Sequence, residues 1–161
     1  MVRVTLVYPF FQPKKDNSLF RFPPLGLGYI AASLRQHGIS VELVDCTFLN
    51  REEAIEKMKR SKPDIIGFYS MFSMKKTSLE LAKLLRDDCD LLVVGGPLPT
   101  LDPTDYLGAF DLRCLVRAKA RWLSLWSVGR VGAIFHAWRE SPTRATVVLW
   151  WMIGRSRRTG L

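Results

Sequence analysis

Two periods of hydrophobicity alternate along the first two thirds of the chain. Short β-branched or wholly apolar runs, Val2–Tyr8, Ser40–Asp45, Pro63–Ser70 and Asp90–Gly96, read as strands. The last of these, DLLVVGG, is the unbroken apolar type expected of a parallel strand covered on both faces. Between them lie segments of helical period. Leu25–Gly38 places Leu27, Ile30, Ala31 and Leu34 on one face, with Pro24 before it and Gly38 after it as punctuation. NREEAIEKMKRS opens on Asn50 as N-cap, carries acids first and bases last, and has a single apolar stripe of Ala54, Ile55 and Met58. Lys75–Asp87 offers Leu79, Leu81, Ala82, Leu84 and Leu85, and LDPTDYLGAF reads as a short helix or turn. Strand–helix alternation at this spacing predicts parallel βαβ units with right-handed crossovers. The fold class is α/β, a flavodoxin-like or Rossmann-like doubly wound parallel sheet. A fifth strand is due after Phe110-Asp111, but the composition breaks there, so the expectation is a sheet without a regular fifth strand.

That break changes the meaning of the charge. The chain has 161 residues and a formal net charge of +9, which by itself suggests a nucleic-acid or anionic-membrane partner. Residues 1–112, however, carry 14 basic and 14 acidic residues and sum to zero. Residues 113–161 carry ten basic residues, the single acid Glu140 and all five tryptophans. The expected organisation is therefore an α/β domain over 1–112 and a basic, Trp/Arg-rich, poorly ordered tail over 113–161. Three widely spaced cysteines, Cys46, Cys89 and Cys114, make neither a metal pattern nor a disulfide framework, and no signal peptide or 20-residue apolar span is present. A cytoplasmic protein is expected, with no metal site, nucleic acid or membrane among its partners.

In open α/β sheets ligands bind outside the carboxyl ends of the strands. Those ends are Tyr8-Pro9-Phe10, Asp45-Cys46-Thr47, Ser70-Met71-Phe72 and Gly95-Gly96-Pro97. The glycine pair permits a close backbone approach to a ligand, or makes a plain strand-to-loop turn. A phosphoacceptor receiver needs acids where this chain has Tyr8 and Ser70, and no P-loop occurs. GLGYIA matches G-x-G-x-x-A, with Asp45 downstream for a ribose, but lies well past the turn after the first strand; helix-start packing glycines are the preferred reading. His37 reads as a solvated helix end, Met71 and Met74 as packing around Phe72, and no nucleophile–base set appears. Ser70, Ser73 and a soft apolar rim could hold a large planar ligand, so the residues offer binding chemistry and no catalytic set.

FPPLGLGYIAASLRQHGISVELVD, PDIIGFYS and LLVVGGPLPTLDPTDYLGAFD, in this order, resemble the N-terminal B12-binding domain of cobalamin-dependent radical SAM proteins. The shared pattern is P-P-L-G-L-x-Y-[IL]-A, P-D-[IV]-[IV]-G and V-x-G-G-P, over about residues 1–112. The resemblance implies a flavodoxin-like domain holding cobalamin at the strand C-termini against a radical SAM barrel. It implies cofactor contacts at Tyr8, Pro9, Ser70, Met71, Gly95, Gly96, Pro97 and Thr100 and no catalytic residue. The C-x-x-x-C-x-x-C motif for the iron–sulfur cluster is absent, so the cluster and S-adenosylmethionine are expected only in a full-length parent enzyme. D-x-H-x-x-G, which supplies a histidine to cobalt in methionine-synthase-like domains, is absent too.

The resembling proteins continue after F-D with a short apolar strand and then G-E-G-E, where this chain has RAKARWLSL. Ala118–Trp122 encoded as GCG AAG GCG AGG TGG, and read from one base earlier with a permitted Arg117 codon, gives Gly-Glu-Gly-Glu-Val. The expectation is a frameshift near residues 112–117 and a truncated cobalamin-binding domain without catalysis of its own. Two other functions compete: a small nucleotide-binding Rossmann-like protein using Gly26, Gly28 and Asp45, and a nucleic-acid or membrane-surface binder using the tail.

Overall fold

Five parallel strands form one sheet in the order β2-β1-β3-β4-β5, seen in a computed structural model that describes residues 2–10 and 22–114, with side chains described as far as Asp111. β1 is Arg3–Tyr8, β2 Ser40–Asp45, β3 Ile65–Tyr69, β4 Leu91–Gly95 and β5 Leu112–Cys114. The helices are α1 (Leu25–Gln36), α2 (Arg51–Arg60), α3 (Lys75–Leu84) and the single turn α4 (Pro97–Leu101). This is the flavodoxin-like order, and its switch point lies between β1 and β3.

The period-2 alternation sorts the strand residues between two cores. Val7, Ile66, Phe68, Leu92 and Val94 face a layer built with Ala54 and Met58 of α2 and Leu81, Ala82 and Leu85 around α3. Val4, Leu6, Ile65, Leu91 and Val93 face the other side, where α1 contributes Leu27, Ala31 and Leu34. Every residue of β4 is buried, which explains its unbroken apolar sequence. Within α1 the expected face is right, with Ile30 packed at its margin. Leu84 is the exception in α3: the α-helix ends there and a 3-10 turn follows over Arg86–Asp88, leaving Leu84 half exposed.

Helix ends follow local chemistry. Asn50 and Glu53 form a capping box, each side chain bonded to the other's backbone N–H at 2.8 and 3.1 Å, an arrangement that stabilises a helix start by about 1 kcal/mol. Gly38, at φ +76°, ends α1 in the left-handed conformation. His37 is exposed beside it, with Nδ1 2.7 Å from the Ser33 carbonyl.

The fifth strand corrects the expectation of a sheet without one. Val93, Val94 and Gly95 pair with Leu112, Arg113 and Cys114 in parallel register. The reason is that Asp111, just before the composition breaks, fixes the start of the strand with both its backbone and its carboxylate. Its N–H donates to Leu92 O at 3.0 Å, while its carboxylate accepts from Leu92 N at 2.8 Å and from Arg86 Nη1 at 2.7 Å. The sheet thus extends two residues past the expected domain boundary at 112; the rest of the basic segment, from Leu115 on, lies outside the described residues. Among the described residues no helix is long and apolar enough to cross a membrane.

Candidate functional site

The carboxyl ends of the strands make one rim, and each is closed differently. At β2, Asp45 turns inward on its own loop: its carboxylate accepts from Thr47 N at 2.9 Å and from Thr47 Oγ1 at 2.5 Å. At β1, the Tyr8 carbonyl accepts from Phe10 N and Cys46 N, tying β1 to the end of β2. The Tyr8 ring is half-buried against Tyr69 of β3 (centroids 5.6 Å apart) and Phe10 (6.4 Å). Desolvation raises both phenol pKa values, and neighbouring Tyr69 and Asp45 raise that of Tyr8 further. Both rings therefore stay neutral at physiological pH.

The β3 and β4 ends interlock. Gly96 has φ +121° and ψ −175°, a conformation open to glycine alone. A Cβ placed on it would sit 2.4 Å from the Ser70 carbonyl oxygen. The sequence left the glycine pair open between ligand approach and plain turn; the immediate demand on Gly96 is contact with Ser70. Ser70 N donates to Gly95 O at 2.7 Å, and Thr100 Oγ1 donates to Gly96 O at 2.9 Å. Ser70 is fully buried, its hydroxyl 2.8 Å from Tyr106 Oη and 3.2 Å from Ser78 Oγ.

Of the eight residues singled out from the sequence, Met71, Gly96, Pro97 and Thr100 reach the surface of the rim and Tyr8 borders it, whereas Pro9, Ser70 and Gly95 lie beneath. Ser73 is exposed, and Met74 is buried in the core below. Sequence reasoning missed Tyr106 and Ser78. Ser78 had a signal, a polar residue on the apolar row of Met74, Leu81 and Leu85; Tyr106 in the polar run DPTDY had none. It also missed exposed apolar side chains along the rim. Phe48 follows β2 at 75 % exposure, Phe72 follows β3 at 86 % and Leu101 ends the helical turn after β4 at 82 %. Leu25, in the first turn of α1, is exposed at the same end.

No nucleophile–base pair or metal-ligand set gathers among the described residues of the rim. Among the described residues no group of His, Cys, Asp or Glu could hold a metal ion. Cys46 is buried, its thiol pushed up to about 12 by burial and then by Asp45, against the lowering influence of Lys57. The protonated thiol is an inert core residue. The described histidine, His37, ends α1 at the opposite edge of the sheet. Gly26 and Gly28 lie inside α1, and a Cβ on either would meet nothing within 4 Å. The expected packing of these helix-start glycines against the sheet is therefore not found. Both sit within α1 and not in the turn after β1, and Asp45 already bonds Thr47, so the geometry gives the dinucleotide fingerprint no support.

No curated protein sequence matches the chain. Among solved structures, the cobalamin-dependent S-adenosylmethionine radical enzyme OxsB with aqua-cobalamin and S-adenosylmethionine bound is similar, with a TM-score of 0.65 and 23 % identity over 81 % of this chain and 19 % of that one. Its apo form matches with a TM-score of 0.57 and 26 % identity, over 71 % of this chain and 17 % of that one. The methanol:cobalamin methyltransferase complex MtaBC from Methanosarcina barkeri matches with a TM-score of 0.53 and 16 % identity, over 83 % of this chain and 46 % of that one. The chain thus spans about a fifth of the length of OxsB. A family model described as B12 binding domain matches residues 15–120, taking in every element after β1, and on that match the chain belongs to the B12-binding domain family.

Proposed function

We propose that this domain binds cobalamin across the carboxyl-end rim and serves as the corrinoid-holding part of a cobalamin-dependent radical SAM enzyme. The observation that carries the reading is that Phe48 after β2, Phe72 after β3 and Leu101 after β4 are all exposed at the carboxyl-end rim, where Gly96 makes a turn without a side chain. Soluble domains rarely leave such side chains uncovered together, and a corrin macrocycle is a wide, flat, mostly apolar ligand of matching shape. The residues present fit it: the side chains supply apolar contact, and the exposed backbone around Gly96 and Pro97 receives the ring edge without steric bulk. Met71, Gly96, Pro97 and Thr100 reach the same rim, Tyr8 closes the β1 side, and Pro9, Ser70 and Gly95 support them from beneath. When bound, cobalamin supplies a cobalt centre able to carry an alkyl group. His37 is at the far edge of the sheet, so this chain's described residues bind and orient the macrocycle and offer cobalt no imidazole ligand.

The radical SAM barrel, with its iron–sulfur cluster and S-adenosylmethionine, is the partner of this rim in the parent enzyme. The out-of-frame reading of the basic segment goes with this proposal, and the DNA around codon 115 decides it: codons that cannot yield G-E-G-E one base over would remove it. Cobalamin binding is tested by mixing protein with hydroxocobalamin, desalting and recording the absorption spectrum. Retained corrinoid bands in stoichiometric amount are expected; a colourless protein overturns the reading.

A further inference from the structure

We propose that Tyr106 is the positioning residue of the cobalamin rim, holding the Gly96 turn in place through Ser70; the inference rests on the cobalamin reading above. Tyr106 follows α4 in a 3-10 turn and is wholly buried, packed against Phe110 with ring centroids 5.9 Å apart. A phenylalanine would satisfy that packing without a buried hydroxyl, which costs free energy unless it is hydrogen-bonded. The hydroxyl finds Ser70 Oγ at 2.8 Å, and Ser70 Oγ lies 3.2 Å from Ser78 Oγ, itself 2.9 Å from the Met74 carbonyl. Each hydroxyl has one proton and the Met74 carbonyl can only accept. Ser78 Oγ is the donor to both Ser70 Oγ and the Met74 carbonyl, sharing its one proton between them, and Ser70 and Tyr106 bond each other with either hydroxyl as donor.

This chain crosses three loops of the rim. Met74 closes the β3–α3 connection and Ser78 lies in the first turn of α3, Tyr106 belongs to the segment after α4, and Ser70 touches the β4–α4 turn directly. The Ser70 carbonyl accepts from Leu98 N at 3.4 Å and occupies the space a Cβ on Gly96 would need. Fixing the Ser70 side chain fixes its peptide, and its peptide sets how far Gly96 and Pro97 stand out towards the ligand. Tyr106 itself touches no ligand.

The test is Tyr106→Phe, which removes one oxygen and little volume. Hydroxocobalamin should dissociate about tenfold more readily, the effect of one buried hydrogen bond. In the ligand-free protein, the Ser70 and Leu98 amides should exchange about tenfold faster, while those of α1 and β2 keep the wild-type rate. Unchanged affinity with unchanged exchange at Ser70 and Leu98 overturns the inference, as does a uniform acceleration over the whole sheet, which marks loss of stability alone. If wild-type protein does not bind cobalamin, the functional proposal falls, yet the exchange pattern still decides the role of Tyr106. If Tyr106→Phe does not fold, Ser78→Ala removes the other hydroxyl bonded to Ser70 and should give the same local pattern; wild-type exchange there overturns it.

Discussion

At the amino ends of the strands, carboxylates close the sheet. Asp64 accepts from Arg3 N at 2.7 Å and pairs with the Arg3 guanidinium, and Asp111 joins Leu92 N to Arg86. Lys59 and Asp88 link α2 to the turn after α3 at the same edge. At the carboxyl ends Ser70, Ser78 and Tyr106 are turned inward and bonded to one another, while Phe48, Phe72 and Leu101 are exposed beside the Asp45–Thr47 and Lys75–Asp105 pairs. One edge uses carboxylates to tie strand ends together, and the other carries exposed apolar side chains over a buried hydroxyl cluster. Substitutions at the two edges should therefore separate stability from binding.

The largest effect is expected at Gly96, where the two properties meet. Gly96→Ala forces a Cβ against the Ser70 carbonyl and demands a backbone conformation that alanine avoids. A loss of about 3 kcal/mol is expected in denaturant unfolding, together with loss of cobalamin retention after desalting. Stability within 1 kcal/mol of wild type would mean that the turn relaxes freely, and the rim would not be the rigid half of this comparison.

Asp111→Ala tests the opposite edge. It leaves Leu92 N without its side-chain acceptor and Arg86 without its carboxylate, and should cost about 2 kcal/mol in the same experiment. Cobalamin affinity should match wild type in protein kept below its unfolding transition. A large drop in affinity would show that the edges are coupled through β4 and β5.

How much of this was legible in the sequence depended on whether a feature was periodic. The four longer strands and the first three helices follow from alternation, caps and glycine punctuation, and Asn50 was readable because a cap is a local matter of Asn50 and Glu53. β5 was not, because only three residues pair and what holds them, Asp111 against Leu92 and Arg86, joins positions about twenty residues apart. The rim was legible as a place, from the strand ends, but not as a surface. Nothing in SMFSM says that Met74 is buried and Phe72 exposed, since a 3-10 turn over Phe72–Met74 decides it. The Ser70–Tyr106 bond was equally hidden, spanning 36 positions.

Two thiols, buried Cys46 beneath the rim and half-buried Cys89 at the amino edge of the sheet, give a pH signature. The Cys46 thiol rises from an ordinary value of 9.0 to about 12 and that of Cys89 to about 11, burial being the main cause in both. The folded chain holds these protons more tightly than the unfolded chain. Their contribution to stability is therefore complete below pH 9 and is lost as pH rises from 9 towards 11 for Cys89 and 12 for Cys46. Each thiol should add a slope of about 1.4 kcal/mol per pH unit at most within its window. Cys46→Ala should make the stability profile shallower above pH 9 whatever its effect at pH 7. An unchanged slope would show that the Cys46 thiolate is solvated in the folded protein and the layer beneath the rim is open to water.

The smallest expected effect on folding is the sharpest probe of the exposed surface. Phe72 is 86 % exposed and protrudes from the 3-10 turn after β3, so the folded domain gains little from its ring. Phe72→Ala should leave the unfolding free energy within about 0.5 kcal/mol of wild type. Covering that ring with a corrin face would remove a few tens of Å² of apolar surface from water, at about 25 cal/mol per Å², which corresponds to a roughly tenfold change in affinity at most. Titration of both proteins with hydroxocobalamin should show that weakening while their melting curves superimpose. Equal affinities would place Phe72 outside the covered surface and confine the cobalamin contact to the Gly96 side of the rim. A fall in stability with unchanged affinity would reverse the assignment of the two edges, making the exposed apolar side chains a part of the fold that the sheet itself requires.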